Sequence, residues 1–260
     1  DPALPAFTDS DLIRLLEGTA PRPWVLDGAW RALIGDLPGD VDAVALRPDF
    51  PPHAVQAIVF STLGNFAGFD DGDLLTLNPS GVLEVLIDED DLTLGLGVSG
   101  AAIDVDGAAF DDAGRLLFSL QSDLAGTLIG DVSNGDVLRL EVDGLVSRAV
   151  SEAQVEAALT TATSLSSAVG DVHGIDWRAG EIWVAIPSPG EHDGGGLAVG
   201  AMARIVADEA ALGLGGDELD AIASFAPEAP ELFTLWIDGD GPTRRAVVEG
   251  GTPSGMGLAL

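Results

Sequence analysis

Short apolar runs recur along the chain in a fixed order, separated by Gly, Asp and Asn. One kind reads "IVFST" from Ile58, "LLFSL" from Leu116, "IWVAI" from Ile182 and "LFTLW" from Leu232. A second follows a Gly-Asp lead: "DSDLIRL" at Asp9, "DGDLLTL" at Asp71, "NGDVLRL" at Asn134 and a degenerate "VGAMARI" at Val199. A third kind closes each unit: "WVLDG" at Trp24, "VLEVLI" at Val82 and "LVSRAV" at Leu145. A fourth opens it: "GDVDAVAL" at Gly39, "IDVDGAAF" at Ile103, "GDVHGIDW" at Gly170 and "DELDAIASF" at Asp217. Runs this short, bulky or β-branched and bounded by turn residues, predict strands.

Four strands per unit and four units describe an all-β chain built by repetition. Reference positions Asp11, Asp73, Asp136 and Ala201 are 62, 63 and 65 residues apart. The first unit lacks its opening two strands at the N-terminus, and matching strands, "LDAIASF" and "ELFTLWI", lie near the C-terminus. A closed ring accounts for this, since both chain ends would complete one blade and remove a free sheet edge. The fold expected is a single β-propeller domain over residues 1–260. It has four blades of four antiparallel strands, with five blades the alternative count if the stretch after Ile237 supplies strands of its own.

Two segments depart from the strand pattern. "SEAQVEAALTTA" from Ser151 carries a Ser-x-x-Gln capping box and predicts a helix. "TDSDLIRLLEG" has a helix-like start, but its match to "NGDVLRL" assigns it to a strand. The acidic "DEDD" at Asp88 reads as a solvated turn, and Gly72 and Gly135 as residues required by hairpin geometry.

Composition narrows the function. Forty-three acidic residues against eleven arginines, with no lysine, give a net charge of −32. Such a surface repels phosphate backbones and anionic lipid, which argues against nucleic-acid binding and membrane association, and it attracts cations. GC-rich codon usage or salt adaptation would produce the same bias. A hydrophobic share of 47% is enough for a substantial core, and aromatics at 5% leave that core to Val, Leu, Ile and Ala. No run approaches the roughly 20 apolar residues of a membrane span. The opening "DPALPAFTDS" lacks a basic region followed by an apolar one, so any signal peptide is taken to have been removed.

The opening runs hold the candidate chemistry. Residues two apart on a strand share a face, so Asp40 with Asp42, Asp104 with Asp106, Asp171 with His173, and Glu218 with Asp220 are expected to project together. Val41, Val105, Val172 and Leu219 would pack between them. Were these the innermost strands of a propeller, the doublets would form two stacked rings around the axis. Clustered carboxylates need protons, backbone donors or a cation. An all-oxygen wall suits Ca²⁺, His173 would better suit a transition metal, and backbone amides alone could also satisfy the acids. Calcium is the cofactor expected, with these eight residues as its ligands. The small residues Ala43, Gly107, Gly174 and Ala221 would let backbones approach. "DGDG" at Asp238 begins like a calcium loop, but Pro242 and Thr243 break the pattern.

The "DVDA/DVDG … LLFSL … GDVLRL" pattern resembles the blades of secreted bacterial β-propeller proteins over about residues 9–237. That resemblance implies a propeller and an extracellular or cell-surface location, and it carries no catalytic residue across. Without Lys, Cys or Tyr, Schiff-base, thiolate and phenolate chemistry are excluded. No Gly-x-Ser-x-Gly, His-Glu-x-x-His or phosphate-loop motif is present. His53 lies in a loop after two prolines, and His192 lies in a glycine run. Trp183 and Trp236 read as core. The expected function is a non-catalytic extracellular calcium-binding module. It would bind another surface protein, a glycan or its own copies. The alternative is a carbohydrate-active hydrolase using axial carboxylates.

Overall fold

The computed structural model describes residues 12–16, 22–25, 41–49, 57–66, 68–78, 80–163, 169–178, 180–186, 195–200, 202–208, 221–225, 233–237 and 246–250. They form four main sheets and two α-helices. In chain order the strands begin with β1 (Leu12–Leu16) and β2 (Arg22–Val25). The first repeat supplies β3 (Val41–Leu46), β4 (Ile58–Thr62), β5 (Leu74–Leu77) and β6 (Leu83–Ile87), followed by helix α1 (Glu89–Leu96). The second supplies β7 (Val105–Phe110) and β8 (Leu116–Leu120), a small hairpin of β9 (Leu124–Thr127) and β10 (Gly130–Val132), then β11 (Val137–Leu140), β12 (Val146–Val150) and helix α2 (Glu152–Thr163). The third holds β13 (Gly174–Arg178), β14 (Glu181–Ile186), β15 (Gly195–Val199) and β16 (Arg204–Asp208). Last come β17 (Ala221–Phe225), β18 (Phe233–Ile237) and β19 (Ala246–Gly250).

The first three sheets are four-stranded antiparallel meanders: β3-β4-β5-β6, β7-β8-β11-β12 and β13-β14-β15-β16. The fourth mixes both ends of the chain. There β17 pairs with β18, and β1 pairs antiparallel with β18 at Ile13↔Trp236 and Arg14↔Leu235. The "DLIRL" run is therefore a strand, as its match to "NGDVLRL" requires. The residues after Ile237 add β19 to this same sheet, and no fifth blade-like sheet forms among the described residues.

The lead strands of the sheets lie side by side. β3 packs against β7, β7 against β13, β13 against β17, and β17 against β3. Sheet-on-sheet stacking explains why β4, β8 and nearly all of β14 are buried on both faces. In β8 every residue is buried. Leu116, Phe118 and Leu120 enter a core shared with Val59, Leu74 and Leu92 of the first repeat. Leu117 points the other way, into a core shared with Ile175, Ile182 and Val184 of the third. With both faces covered, hydrophobic alternation disappears and a continuous run remains.

Two expectations change on contact with the structure. "DEDD" is the start of α1: Asp88 is its N-cap, Asp90 N–H donates to Asp88 Oδ1 at 2.9 Å, and Glu89, Asp90 and Asp91 fill the first turn. Acids are favoured there by the amide dipoles, and Gly97 closes the helix in the left-handed region at φ 77°. In the third repeat "VGAMARI" does not hold the third strand. That strand ends at Val199, and the "ARI" of the run passes into β16. Helix α2 begins where expected, with Ser151 N–H donating to Gln154 Oε1 and Gln154 N–H to Ser151 Oγ.

Candidate functional site

The lead strands are not regular. Pairing of β3 with β4 slips between Val41 and Val44, and that of β7 with β8 slips between Val105 and Gly107. Each slip is a bulge, which re-aims the residues it contains; Asp42 lies in the first and Asp106 in the second. A serine on the neighbouring strand organises both places. Ser61 Oγ accepts from Ala43 N–H at 2.8 Å and donates to Val105 C=O at 2.8 Å. Ser119 Oγ donates to Val172 C=O at 2.7 Å. Each hydroxyl thus reaches from the second strand of one sheet to the lead strand of the next, at the valine between two predicted site residues. In the third repeat the equivalent position is Ala185, and β13 pairs with β14 without a slip. Val41, Val105 and Val172 are all fully buried.

Close backbone approach occurs where small residues were expected. A Cβ on Gly107 would stand 2.7 Å from Ser119 Oγ and 3.1 Å from Gly174 Cα.

The acidic side chains meet in a staggered order. Asp104, at the entry to β7, interacts with the Asp42 carboxyl of β3. Asp106, farther along β7, lies with Asp171 and His173 in a group whose donor atoms are all within 4.8 Å of one another. Asp42 therefore meets the first member of the second doublet, and Asp106 lies with both members of the third. Asp42 and Asp106 are buried, and Asp171 and His173 are half-buried. Asp171 accepts Val172 N–H at 2.8 Å, and His173 Nε2 is 3.4 Å from Asp171 Oδ2. Asp40, Glu218 and Asp220 lie outside the described residues, as do His53, His192 and the "DGDG" loop at Asp238.

Burial, followed by the charge of Asp71, pushes Asp104 up to about 6. A hydrogen bond from Asp42 pulls it partly back, and Glu89 adds a further push. Glu89 is itself raised, first by burial, although it accepts Ile103 N–H at 2.8 Å.

No family model and no curated protein matches this sequence. Among solved structures, the chain is similar to the extracellular domain of a putative one component system from B. thetaiotaomicron, with 11% identity and a TM-score of 0.31 over 76% of this chain and 26% of that one. It is also similar to the extracellular domain of a putative hybrid two component system from the same organism, with 10% identity and a TM-score of 0.29 over 80% of this chain and 28% of that one. The chain thus spans about a quarter of the length of each. No helix among the described residues is long and apolar enough to cross a membrane.

A second set of carboxylates performs a purely architectural task. Asp73 accepts Asp70 N–H at 3.0 Å and Glu89 N–H at 2.9 Å, tying the turn before β5 to the start of α1. Asp136 repeats this with Ser133 N–H at 3.1 Å and Glu152 N–H at 2.8 Å, tying the turn before β11 to α2. The Gly-Asp lead of the repeat is explained by these contacts. Neither Gly72 nor Gly135 has a positive φ. Each is small because a Cβ would stand 2.6 Å from Glu89 Cγ or 2.5 Å from Glu152 Cγ. Close approach, and not turn geometry, selects glycine there.

Trp183 is buried but does not join the core between the second and third sheets. Its ring lies beneath Arg178, 4.6 Å from the centroid, and Arg204, 5.8 Å away, and Arg204 also pairs with Glu181 at 2.8 Å. The Trp236 side chain lies outside the described residues. Sequence reasoning overlooked Ser61 and Ser119, although both stand at the same place in "IVFST" and "LLFSL".

Proposed function

We propose that the chain is a non-catalytic four-bladed β-propeller that holds a divalent cation where its lead strands meet and works outside the cell as a binding or self-assembling module. The cycle of contacts among β3, β7, β13 and β17, with both chain ends in one sheet, supports the propeller reading. The observation that carries the cation reading is the convergence of Asp106, Asp171 and His173, whose donor atoms lie within 4.8 Å of one another. Two carboxyl groups so placed repel one another unless a positive charge or protons intervene.

The donor chemistry fits a divalent ion. Carboxylate oxygens from Asp106 and Asp171 suit Ca²⁺, which is the ion proposed. The imidazole of His173 is the one feature favouring Zn²⁺, which takes nitrogen and oxygen together. The hydrolase alternative gains nothing from Asp42 and Asp104. Two catalytic carboxyls flanking a sugar stand about 5 Å or more apart, whereas these two share a hydrogen bond.

Thermal melting in Ca²⁺, in Zn²⁺ and in chelator tests the proposal. An ion at about 100 times its Kd should stabilise the fold by about 2.7 kcal/mol, and Asp106→Asn and Asp171→Asn should remove that gain. Stabilisation by Zn²⁺ alone, abolished by His173→Ala, would replace calcium with zinc. Melting indifferent to both ions would end the cation reading. Light scattering during the same titration reads association of copies.

A further inference from the structure

Aligning the opening runs places Arg47, Asp111 and Arg178 at one repeat position, at or just past the end of the lead strand. In the first repeat the charge there is closed locally. Arg47 Nε and Nη2 donate to the two oxygens of Asp49 at 3.1 and 2.7 Å. In the second, Asp111 is closed by Arg115, whose Nε donates to it at 2.8 Å. In the third, Glu181 stands directly opposite Arg178 across the β13–β14 pair. Yet Arg204 of β16 occupies both Glu181 oxygens, at 3.2 and 2.8 Å. Arg204 reaches this face because it ends the cross-strand row Asp176, Trp183, Ala198, Arg204. Among the described residues Arg178 has no hydrogen bond and no ion pair. Its guanidinium lies over the Trp183 ring, 4.6 Å from the centroid. Asp176 shares the face but is buried opposite Trp183.

A buried ring beneath a guanidinium orients it and shields one of its faces from water. The planar fork of N–H donors so held matches the two oxygens of a carboxylate. We infer that Arg178, on the Trp183 floor beside Arg204, is a binding site for a singly charged carboxylate. A phosphate would bring a second negative charge towards Glu181. The net charge of −32 does not forbid one carboxylate, because charges beyond about 8 Å are screened at physiological salt. The carboxylate comes from a free small acid or from an Asp or Glu of a second copy. The site lies about 16 Å along β13 from His173 and is independent of the cation reading.

The indole N–H signal of Trp183, assigned through Trp183→Phe, reports on the site in two-dimensional NMR of the full-length chain. In dilute protein, sodium acetate replacing sodium chloride at constant ionic strength should move it saturably, with a Kd of about 10 mM. Arg178→Gln should abolish the shift. Glu181→Gln, which releases Arg204 and removes the local negative charge, should tighten binding roughly tenfold. That variant decides the matter if substitution at Arg178 prevents folding. Concentrating the acetate-free protein separates the two sources. A signal that moves assigns the carboxylate to a second copy, and a fixed one assigns it to a free acid. No saturable response to acetate, or unchanged binding in either variant, overturns the site.

Discussion

Asp104 shows how a single residue registers its surroundings. Its carboxyl is pushed up to about 6, first by burial and then by Asp71, against about 3.9 for a free aspartate. A group that keeps its proton longer when folded contributes stability that is complete below the unfolded pKa and is lost as pH rises through the folded one. In chelator-treated protein, this contribution should therefore fall between about pH 4 and pH 6 and stay flat above. Asp104→Asn should remove that slope and raise the urea midpoint at pH 7. The difference between the two chains, followed from pH 4.5 to 7.5, isolates the effect from Asp111, whose burial is outweighed by bonds from Arg115 and Ala113 that hold it low. A difference that grows with falling pH would contradict this. The doublets themselves were legible as acids two apart on a strand. Their staggered meeting was not, because the offset between neighbouring lead strands depends on bulges that apolar periodicity does not reveal.

At the scale of elements, two hydroxyls fasten one sheet to the next. Removing Ser119 Oγ leaves the Val172 carbonyl without that donor at a buried position, and an unsatisfied buried group costs about 1–3 kcal/mol. Ser119→Ala should lower stability by about that amount in urea denaturation. Ser61→Ala should cost more, since Ser61 also accepts Ala43 N–H within the β3 bulge. Equal stability of Ser61→Ala and the parent would show that water replaces the hydroxyl and that the lock is dispensable. Most strands were readable from short apolar runs between turn residues, and α2 from its capping box. The start of α1 was misread because "DEDD" carries no apolar periodicity. Its helical state comes from the Asp88 cap and from Asp73 accepting Glu89 N–H sixteen residues away.

Over the whole molecule, a net charge of −32 opposes compaction. The described ion pairs neutralise only a few acids, through Arg47, Arg115, Arg139, Arg148 and Arg204. Screening shortens from about 10 Å at 0.1 M salt to about 3 Å at 1 M. Melting temperature should therefore rise by several degrees between about 0.02 M and 1 M NaCl in chelator, since self-repulsion is relieved. A fall over that range would mean that surface ion pairs outweigh the repulsion. The sequence by itself determined the mostly-β class and the presence of both chain ends in one sheet, because strand-length apolar runs are local properties. Only the tertiary structure decided which carboxyl faces which, and why glycine precedes Asp73 and Asp136. Those features arise from backbones brought within a few ångströms across long separations in the chain, and spacing along a sequence does not encode that distance.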